Sequence, residues 1–228
     1  MMQIYTFGMP FNIRMHLEAI SDKFKFPPTK PPAPYNLDYM AIDYCNWMKN
    51  GQLKINPHVV WPNNPYQYVF GDRIVSSCLL NAFENCIIRS SHFVSYKPGV
   101  ELFSNYIHKN SNHCGKSIEK TTAESYGITT CFVNKNCEIR LFYIDNKTEI
   151  EILDGNIADE DIPKFDLFSI MSMISKKTTL DFFALDCLYD GSDWWLSDFN
   201  TFPGTSSENI AKLIANHIYN SLSINNLK

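Results

Sequence analysis

The spacing of hydrophobic residues predicts helices in the first part of the chain and mainly strands after about residue 112. A short strand at 3–7 is followed by a proline-rich stretch at 26–34, whose composition excludes both a helix and a central strand. Another short strand is predicted at 58–61, and a helix at 98–107 begins at Pro98. Apolar residues at helical spacing predict two further helices. The apolar positions of the first are Leu37, Met40, Ala41, Tyr44, Trp47 and Met48. The second is capped by Asp72, and its apolar positions are Ile74, Val75, Cys78, Leu79, Ala82 and Phe83.

Alternation with a period of two dominates the rest of the chain and indicates hairpins. Strands are predicted at 113–118, 128–133, 138–144, 148–153, 179–189 and 194–200, with a turn at 145–147. A helix at 165–176 interrupts them. Thr205 and Glu208 are predicted to form the capping box of a last helix, whose buried stripe would be Ile210, Leu213, Ile214 and Ile218. Mixed helices and strands with clustered hairpins predict an α+β fold.

Composition narrows the class of protein. With 228 residues, of which 45% are hydrophobic, the chain can bury one large core or two small ones. A net charge of −4 argues against binding nucleic acid through its phosphates, and no apolar run approaches the ~18 residues of a membrane span. No secretory signal is visible, and the 7 cysteines include no CxxC pair, which favours reduced thiols. We therefore expect a cytoplasmic protein with neither nucleic-acid nor membrane partners.

One predicted hairpin carries polar residues between strongly apolar flanks. If its strands pair around Ser192, Asp186 lies directly opposite Asp198, and Asn200 shares the face of Asp198. Opposed residues on one face have Cβ atoms roughly 5 Å apart, and two carboxylates so close repel each other unless a cation lies between them. Two carboxylates and an amide oxygen are hard ligands suited to Mg²⁺. The alternative is a surface hairpin whose acidic side chains point into water.

The same residues resemble the metal-binding hairpin of ATP-grasp enzymes. In that family an aspartate on one strand is followed, on the next strand, by Glu-x-Asn and a Pro-Gly turn. The matching positions here are Asp186, Asp198, Asn200, Pro203 and Gly204. The resemblance implies that Asp186, Asp198 and Asn200 hold Mg²⁺ on the phosphates of ATP. It also implies an ATP-grasp fold, with antiparallel sheets in the nucleotide-binding domains and a small α/β N-terminal domain. Position 198 departs from the family, which usually has the longer Glu.

The segments 130–133 and 138–144 resemble the hinge strand of the family and the strand that follows it. The resemblance implies that adenine binds to the backbone of Cys131, Phe132 and Val133. It also implies that Glu138 holds the ribose and that Arg140 faces the phosphates or the acyl-phosphate. Because Glu138 and Arg140 are two residues apart, they share one face of a strand, as a common pocket requires. The alternative interpretation of Glu138 and Arg140 is an ordinary cross-strand ion pair, which contributes about 1 kcal/mol or less to stability when exposed.

Two lysines are candidates for the residue that binds the α- and β-phosphates in the family. The segment 114–118 resembles the strand that presents this lysine, which implies a catalytic and nucleotide-binding role for Lys116. Lys97, which precedes a proline, is the competing candidate. The segment is not a P-loop, because the upstream glycine and the following helix are missing. In the family, a glycine-rich flap, called the lid, usually lies between the lysine strand and the hinge. Between Lys116 and Thr130 the one glycine is Gly127. The resemblance therefore implies a short lid, as in smaller ligases that act on peptides or protein termini.

The resemblance implies a carbon–nitrogen ligase that uses ATP to join a carboxylate to an amine through an acyl-phosphate. It divides the chain into a substrate-side domain at 1–90, a lid with the phosphate lysine at 91–130, and an ATP-grasp domain at 131–228. We expect a peptide-modifying member, resembling ribosomal-protein glutamate ligases, that acts on peptide or small-molecule carboxylates and amines. The alternatives are a degenerate ATP-grasp module that binds nucleotide without ligase activity, and a non-enzymatic α+β interaction domain.

Overall fold

The computed structural model describes residues 4–5, 10–21, 24–25, 64–83, 88–90, 92–96, 106–110, 127–131 and 133–226. These residues belong to two compact units, one formed by Met1–Pro65 with Phe202–Lys228 and the other by Tyr66–Thr201. The division into 1–90, 91–130 and 131–228 stays a prediction. The elements predicted at 26–34, 37–48, 58–61 and 113–118 lie outside the described residues.

The first unit combines a pair of short strands with two helices. Strand β1 (Ile4–Tyr5) pairs in parallel with β2 (Phe24–Lys25), and helix α1 (Phe11–Ile20) lies between them in sequence. The last helix of the chain, α5 (Glu208–Asn226), contacts α1 and buries Ile210, Ile214 and Ile218 as predicted, whereas Leu213 is only half-buried. Near the start of this helix, Ser207 Oγ accepts a hydrogen bond from the backbone N–H of Ile210 at 3.4 Å, and Thr205 Oγ1 accepts one from the N–H of Ser207 at 3.0 Å. The predicted capping box of Thr205 and Glu208 stays a prediction.

The second unit is built around a five-stranded sheet in the order β3-β10-β9-β7-β8. These strands are β3 (Ile88–Ser90), β7 (Cys137–Ile144), β8 (Lys147–Gly155), β9 (Phe182–Tyr189) and β10 (Trp194–Asn200). Every neighbouring pair is antiparallel except β3 with β10. The strands predicted at 138–144, 148–153 and 194–200 are confirmed. The predicted turn is also confirmed, since Asp145 and Asn146 have φ values of 49° and 65°, which suit a two-residue hairpin turn.

One face of this sheet is covered by helix α4 (Lys164–Thr178). The helix buries Leu167, Ile170, Met171 and Ile174 in the same apolar cluster as Ile139, Leu141, Leu185, Cys187, Leu196 and Phe199 of the sheet. Because side chains alternate along a strand, the residues between these sheet positions point to the opposite face. That opposite face carries Arg140, Asp186, Asp198 and Asn200, and is called the polar face below.

A second sheet of the same unit has three strands in the order β4-β6-β5, all antiparallel. They are β4 (His92–Tyr96), β5 (Tyr106–Asn110) and β6 (Gly127–Cys131). The helix predicted from Pro98 to Ile107 is therefore wrong at its end, because Tyr106 and Ile107 pair with β6. Pairing between strands distant in sequence supplies backbone hydrogen bonds that a local pattern does not reveal.

The described part of this unit also contains two short helices, α2 (Pro65–Val69) and α3 (Arg73–Asn81). Asp72 caps α3 as predicted, since its Oδ1 accepts a hydrogen bond from the N–H of Val75 at 3.3 Å. The predicted apolar face of this helix is confirmed only in part. Phe83 is buried in the core and Leu79 packs against it. Val75, Cys78 and Ala82 are exposed, however, and the buried positions include the polar residues Arg73, Ser76 and Ser77. Among the described residues, no helix is long and apolar enough to cross a membrane.

Candidate functional site

The tight turn between β9 and β10 is organised by Asp190. Its Oδ1 accepts hydrogen bonds from the backbone N–H groups of Ser192 at 2.9 Å and Asp193 at 2.8 Å, and its Oδ2 accepts one from Trp195 Nε1 at 2.8 Å. Partial burial acts to raise the pKa of Asp190, but these hydrogen bonds to the charged form outweigh it and lower the pKa to about 2. The carboxylate therefore stays ionised and holds the hairpin closed.

Along the hairpin, one extra residue changes the register of the two strands. Near the turn Trp194 pairs with Tyr189 and Leu196 with Cys187, a register that would place Ser197 opposite Asp186. The register shifts between Leu196 and Asp198, so that Asp198 becomes the partner of Asp186. The predicted pairing is thus confirmed, although it results from a bulge at position 197 and not from a turn centred on Ser192.

The bulge also decides which face of the sheet Asp198 occupies. Trp194 and Leu196 lie in the apolar cluster, and after the bulge the next residue in that cluster is Phe199. Without the extra residue Asp198 would follow Leu196 into the core. With it, Asp198 and Asn200 lie on the polar face beside Asp186, which is where an oxygen-ligand site needs them.

Arg140 of β7 lies next to Asp186 on this face. The two residues are partners in the β7–β9 ladder, and the guanidinium forms two parallel hydrogen bonds, from Nε to Asp186 Oδ1 at 2.6 Å and from Nη2 to Oδ2 at 2.8 Å. The amide Nδ2 of Asn200 donates a third hydrogen bond to Asp186 Oδ2 at 3.0 Å. Arg140 was predicted to lie near the phosphates, but its pairing with a proposed metal ligand was not predicted.

Burial shapes the charge of this pair. Burial raises the pKa of the Asp186 carboxyl, and the guanidinium of Arg140 opposes that rise. For Arg140, burial acts to lower the pKa, but the hydrogen bonds and charge of Asp186 outweigh it, together with the charges of Glu151 and Asp198, and raise the pKa. Arg140 is therefore permanently cationic. Glu151, the partner of Arg140 on β8, is buried and lies on its other side.

A second arginine reaches the hairpin from helix α3. The Nη2 atom of Arg73 lies 3.9 Å from Asp198 Oδ2, with 9% of the arginine side chain and 18% of the aspartate side chain exposed. Neither Arg73 nor Glu151 was among the predicted site residues. Arg73 follows the helix cap and falls outside the predicted apolar face, so no periodic signal marked it. Glu151 alternates with apolar residues on an edge strand, which is the usual pattern of a solvent-facing acid.

The remaining predicted site residues are placed only in part. Glu138 lies two residues before Arg140 on β7, and its carboxylate pairs with the ammonium group of Lys135, which also lies 3.1 Å from Asp154. Of the hinge, Cys131 ends β6 and Val133 is half-buried, while Phe132 is outside the described residues. Lys116 and Lys97 also lie outside them. The roles predicted for all these residues stay predictions.

The donor set of the polar face suits a hard divalent cation. An ionised carboxylate offers about four lone-pair positions, of which Asp186 uses three for the hydrogen bonds described above. Three carboxylates (Glu151, Asp186, Asp198) face two guanidinium groups (Arg73, Arg140), which leaves one net negative charge among these five residues. Oxygen donors with a net negative charge are what Mg²⁺ binds, usually together with substrate phosphates.

Comparison with protein-family models finds no match, and comparison with curated protein sequences finds none either. Solved structures do share the architecture. D-alanine–D-alanine ligase from Bacillus anthracis, complexed with ATP, is 12% identical, with a TM-score of 0.57 over 98% of this chain and 97% of that one. N5-carboxyaminoimidazole ribonucleotide synthetase from Thermotoga maritima is 14% identical, with a TM-score of 0.57 over 97% of this chain and 76% of that one.

A third structure is the ATP-grasp ligase PsnB, complexed with a minimal precursor, Mg and ADP. It is 11% identical, with a TM-score of 0.51 over 96% of this chain and 98% of that one. At sequence identities this low, structural similarity shows a shared fold and nothing more. The mixed helices and mostly antiparallel sheets of the described residues agree with that architecture, as the hairpin motif predicted. The chain has the ATP-grasp fold.

Proposed function

We propose that this chain is an ATP-dependent carboxylate–amine ligase, which forms an amide or peptide bond through an acyl-phosphate. One observation carries the proposal: Arg140, Asp186, Asp198 and Asn200 lie together on one sheet face of an ATP-grasp fold. The structures that share this fold are, by their names, two ligases and a synthetase. Fold alone does not give an activity, and the oxygen donors and arginines at this place are what support one.

In the proposal Asp186, Asp198 and Asn200 hold Mg²⁺. The metal would supply charge that neutralises the phosphates of ATP and would align the γ-phosphate for transfer. The donor chemistry supports this assignment, since both carboxylates are Cα partners across the β9–β10 ladder and the Asn200 amide contacts one of them. Further support comes from related folds, because D-alanine–D-alanine ligase is complexed with ATP and PsnB with Mg and ADP.

The other residues bind the nucleotide and stabilise charge. Arg140 is cationic at any working pH, so its guanidinium can stabilise negative charge on the phosphoryl group in transfer and then on the acyl-phosphate. Glu138, on the same strand face, would accept hydrogen bonds from the ribose hydroxyls. Lys116, or Lys97 in its place, would provide the point charge near the α- and β-phosphates. The adenine would bind to the backbone at 131–133.

The reaction needs no side-chain nucleophile. A carboxylate oxygen of the substrate forms a bond to the γ-phosphorus while the bond from that phosphorus to the β,γ-bridging oxygen breaks, and ADP leaves with the electron pair. The amine nitrogen then bonds to the acyl carbon, the carbon–oxygen bond breaks, and phosphate leaves. The amine proton passes to solvent or to the departing phosphate. Holding the reactants in line is the main contribution of the protein.

The acid and amine are proposed to belong to a peptide or to small molecules. A peptide is supported by PsnB, which has the same fold and is complexed with a minimal precursor. The short segment between Lys116 and Thr130, with its single glycine, also favours a large substrate, because a small lid leaves the reaction centre open to a polypeptide.

One observation favours a second candidate function, a nucleotide-binding module without ligase activity. Both oxygens of Asp186 already accept hydrogen bonds from Arg140, and Asn200 adds one more. Mg²⁺ would have to share this carboxylate with a bidentate arginine, which competes for the same oxygens. A site of this kind could bind ATP without bringing its γ-phosphate to a substrate.

The experiment that separates the two candidates measures nucleotide binding and turnover in one preparation. Both predict that ATP raises the thermal unfolding midpoint only when Mg²⁺ is present. The ligase alone predicts that ADP and phosphate are released in equal amounts with a matching acid and amine, and that hydroxylamine traps the acyl-phosphate as a hydroxamate. Stabilisation without ADP release, across peptide and small-molecule panels, would favour the binding module. No Mg²⁺-dependent stabilisation would contradict both.

A further inference from the structure

Helix α3 buries polar residues as well as apolar ones, which the pattern of its sequence did not predict. Arg73, Ser76 and Ser77 are buried, while Val75 and Cys78 are exposed. Burying an arginine side chain is costly unless its charge is compensated. The buried arginine of α3 therefore needs a negatively charged partner elsewhere in this unit.

That partner is strand β10, which α3 contacts. In the described part of the chain, strand β3 pairs with β10 at residues 194–196. The ring of Phe70, just after α2, packs 5.9 Å from that of Phe199, and the guanidinium of Arg73 reaches Asp198. Gln67 of α2 donates a hydrogen bond from Nε2 to the carbonyl of Phe182 at 3.3 Å, which ties the helix pair to the sheet.

The two proposed carboxylate ligands therefore each have their own arginine. Asp186 is paired with Arg140 in the sheet, and Asp198 with Arg73 from the helix. A free divalent cation that approaches these carboxylates meets two fixed positive charges, and their repulsion lowers its affinity. A divalent cation bound to a polyphosphate brings negative oxygens for the same arginines, so the repulsion becomes attraction.

We propose that Arg73 is the counter-ion of Asp198 and makes the site select a divalent cation bound to a polyphosphate over the free cation. This inference rests on the proposed function, because it takes Asp186 and Asp198 as metal ligands. Arg73 acts through Asp198 and is a positioning residue. It holds the carboxylate on β10 and prevents the cation from occupying the site alone.

The test compares Mn²⁺ alone with Mn²⁺ plus ATP, measured by electron paramagnetic resonance of free Mn²⁺. In Arg73→Met we expect free Mn²⁺ to bind at least about threefold tighter than in the wild type, because a competing charge within roughly 4–6 Å is removed. Binding of Mn²⁺ with ATP is expected to be unchanged or weaker. The preference of the site for Mn²⁺ with ATP over free Mn²⁺ therefore falls. If the role of Arg73 were purely structural, its loss would weaken the binding of free Mn²⁺ and of Mn²⁺ with ATP alike.

Two further variants keep the test decisive. Arg89→Met is the matched control. Arg89 of β3 pairs at 3.2 Å with Asp193, the residue before β10, and its substitution is expected to leave both affinities unchanged. In an Asp198→Asn background, Arg73→Met should no longer tighten the binding of free Mn²⁺, because its effect passes through that carboxylate. If Arg73→Met does not fold, Arg73→Gln takes its place with the same expectation.

The outcomes distinguish this inference from the function on which it rests. If the wild type binds Mn²⁺ with ATP and Arg73→Met leaves the affinity for free Mn²⁺ unchanged or weaker, the role of Arg73 is overturned and the ligase proposal stands. If the wild type binds Mn²⁺ neither alone nor with ATP, the metal assignment fails and the inference about Arg73 fails with it.

Discussion

Asp198→Asn is expected to weaken Mg²⁺-dependent ATP binding by at least about 100-fold, and Asp198→Ala to abolish the release of ADP and phosphate. The reason is local. Asp198 is the Cα partner of Asp186 on the polar face, and the amide of an asparagine cannot supply the negative charge that Mg²⁺ needs. Calorimetric titration of ATP, with and without Mg²⁺, measures the effect on binding directly.

The matched control for this prediction is Asp193→Asn. Asp193 belongs to the same hairpin and also pairs with an arginine, but it lies at the turn and away from the proposed ligands. Its substitution should change ATP affinity by less than about twofold. Wild-type binding and turnover by Asp198→Asn, in a protein of normal thermal stability, would show that Asp198 is not a metal ligand.

Arg140→Met is expected to lower the free energy of unfolding by about 3–5 kcal/mol at pH 7, because it leaves the buried Asp186 carboxylate without its cation. Adding Asp186→Leu should recover most of that loss, since the uncompensated charge is then removed. Arg89→Met, at a half-exposed ion pair, should cost about 0–1 kcal/mol. Urea unfolding monitored by tryptophan fluorescence measures all three variants.

The pH dependence of Arg140→Met has a defined sign. Burial already raises the pKa of Asp186 in the folded protein, and removing Arg140 takes away the group that opposes this rise. A carboxyl whose pKa is higher in the folded than in the unfolded chain binds protons on folding, so stability falls as the pH rises through the folded pKa. The deficit of the variant should be smaller at pH 4 than at pH 7. An equal loss of unfolding free energy at pH 4 and pH 7 would mean that the variant loses packing contacts and not a charge interaction.

The β7–β8 hairpin of the second unit could be predicted because its two strands are neighbours in sequence. The turn at Asp145 and Asn146 links two strands whose alternation is regular, so their limits followed from the pattern alone. The strand predicted from residue 179 was too long at its start, because Thr179 has a φ of 56° and ends helix α4. A threonine in a left-handed conformation carries no sequence signal comparable to that of glycine.

The candidate site was predicted less completely, for reasons of long-range structure. Pairing Asp186 with Asp198 came from counting around Ser192, but the actual turn has another centre and the bulge at position 197 restores the pairing. A bulge depends on cross-strand hydrogen bonds that a sequence does not display. The contact of Arg73 with Asp198 joins a helix and a strand far apart in the chain, so counting apolar residues could not predict that Arg73 is buried.

The most direct test of the metal site is a crystal structure with Mn²⁺ and a non-hydrolysable ATP analogue. Anomalous scattering locates Mn²⁺ independently of any assumption about its ligands. The account predicts an anomalous peak roughly 2.1 Å from oxygen atoms of Asp186, Asp198 and Asn200, in contact with the nucleotide phosphates. A nucleotide bound with its metal away from all three residues would contradict it.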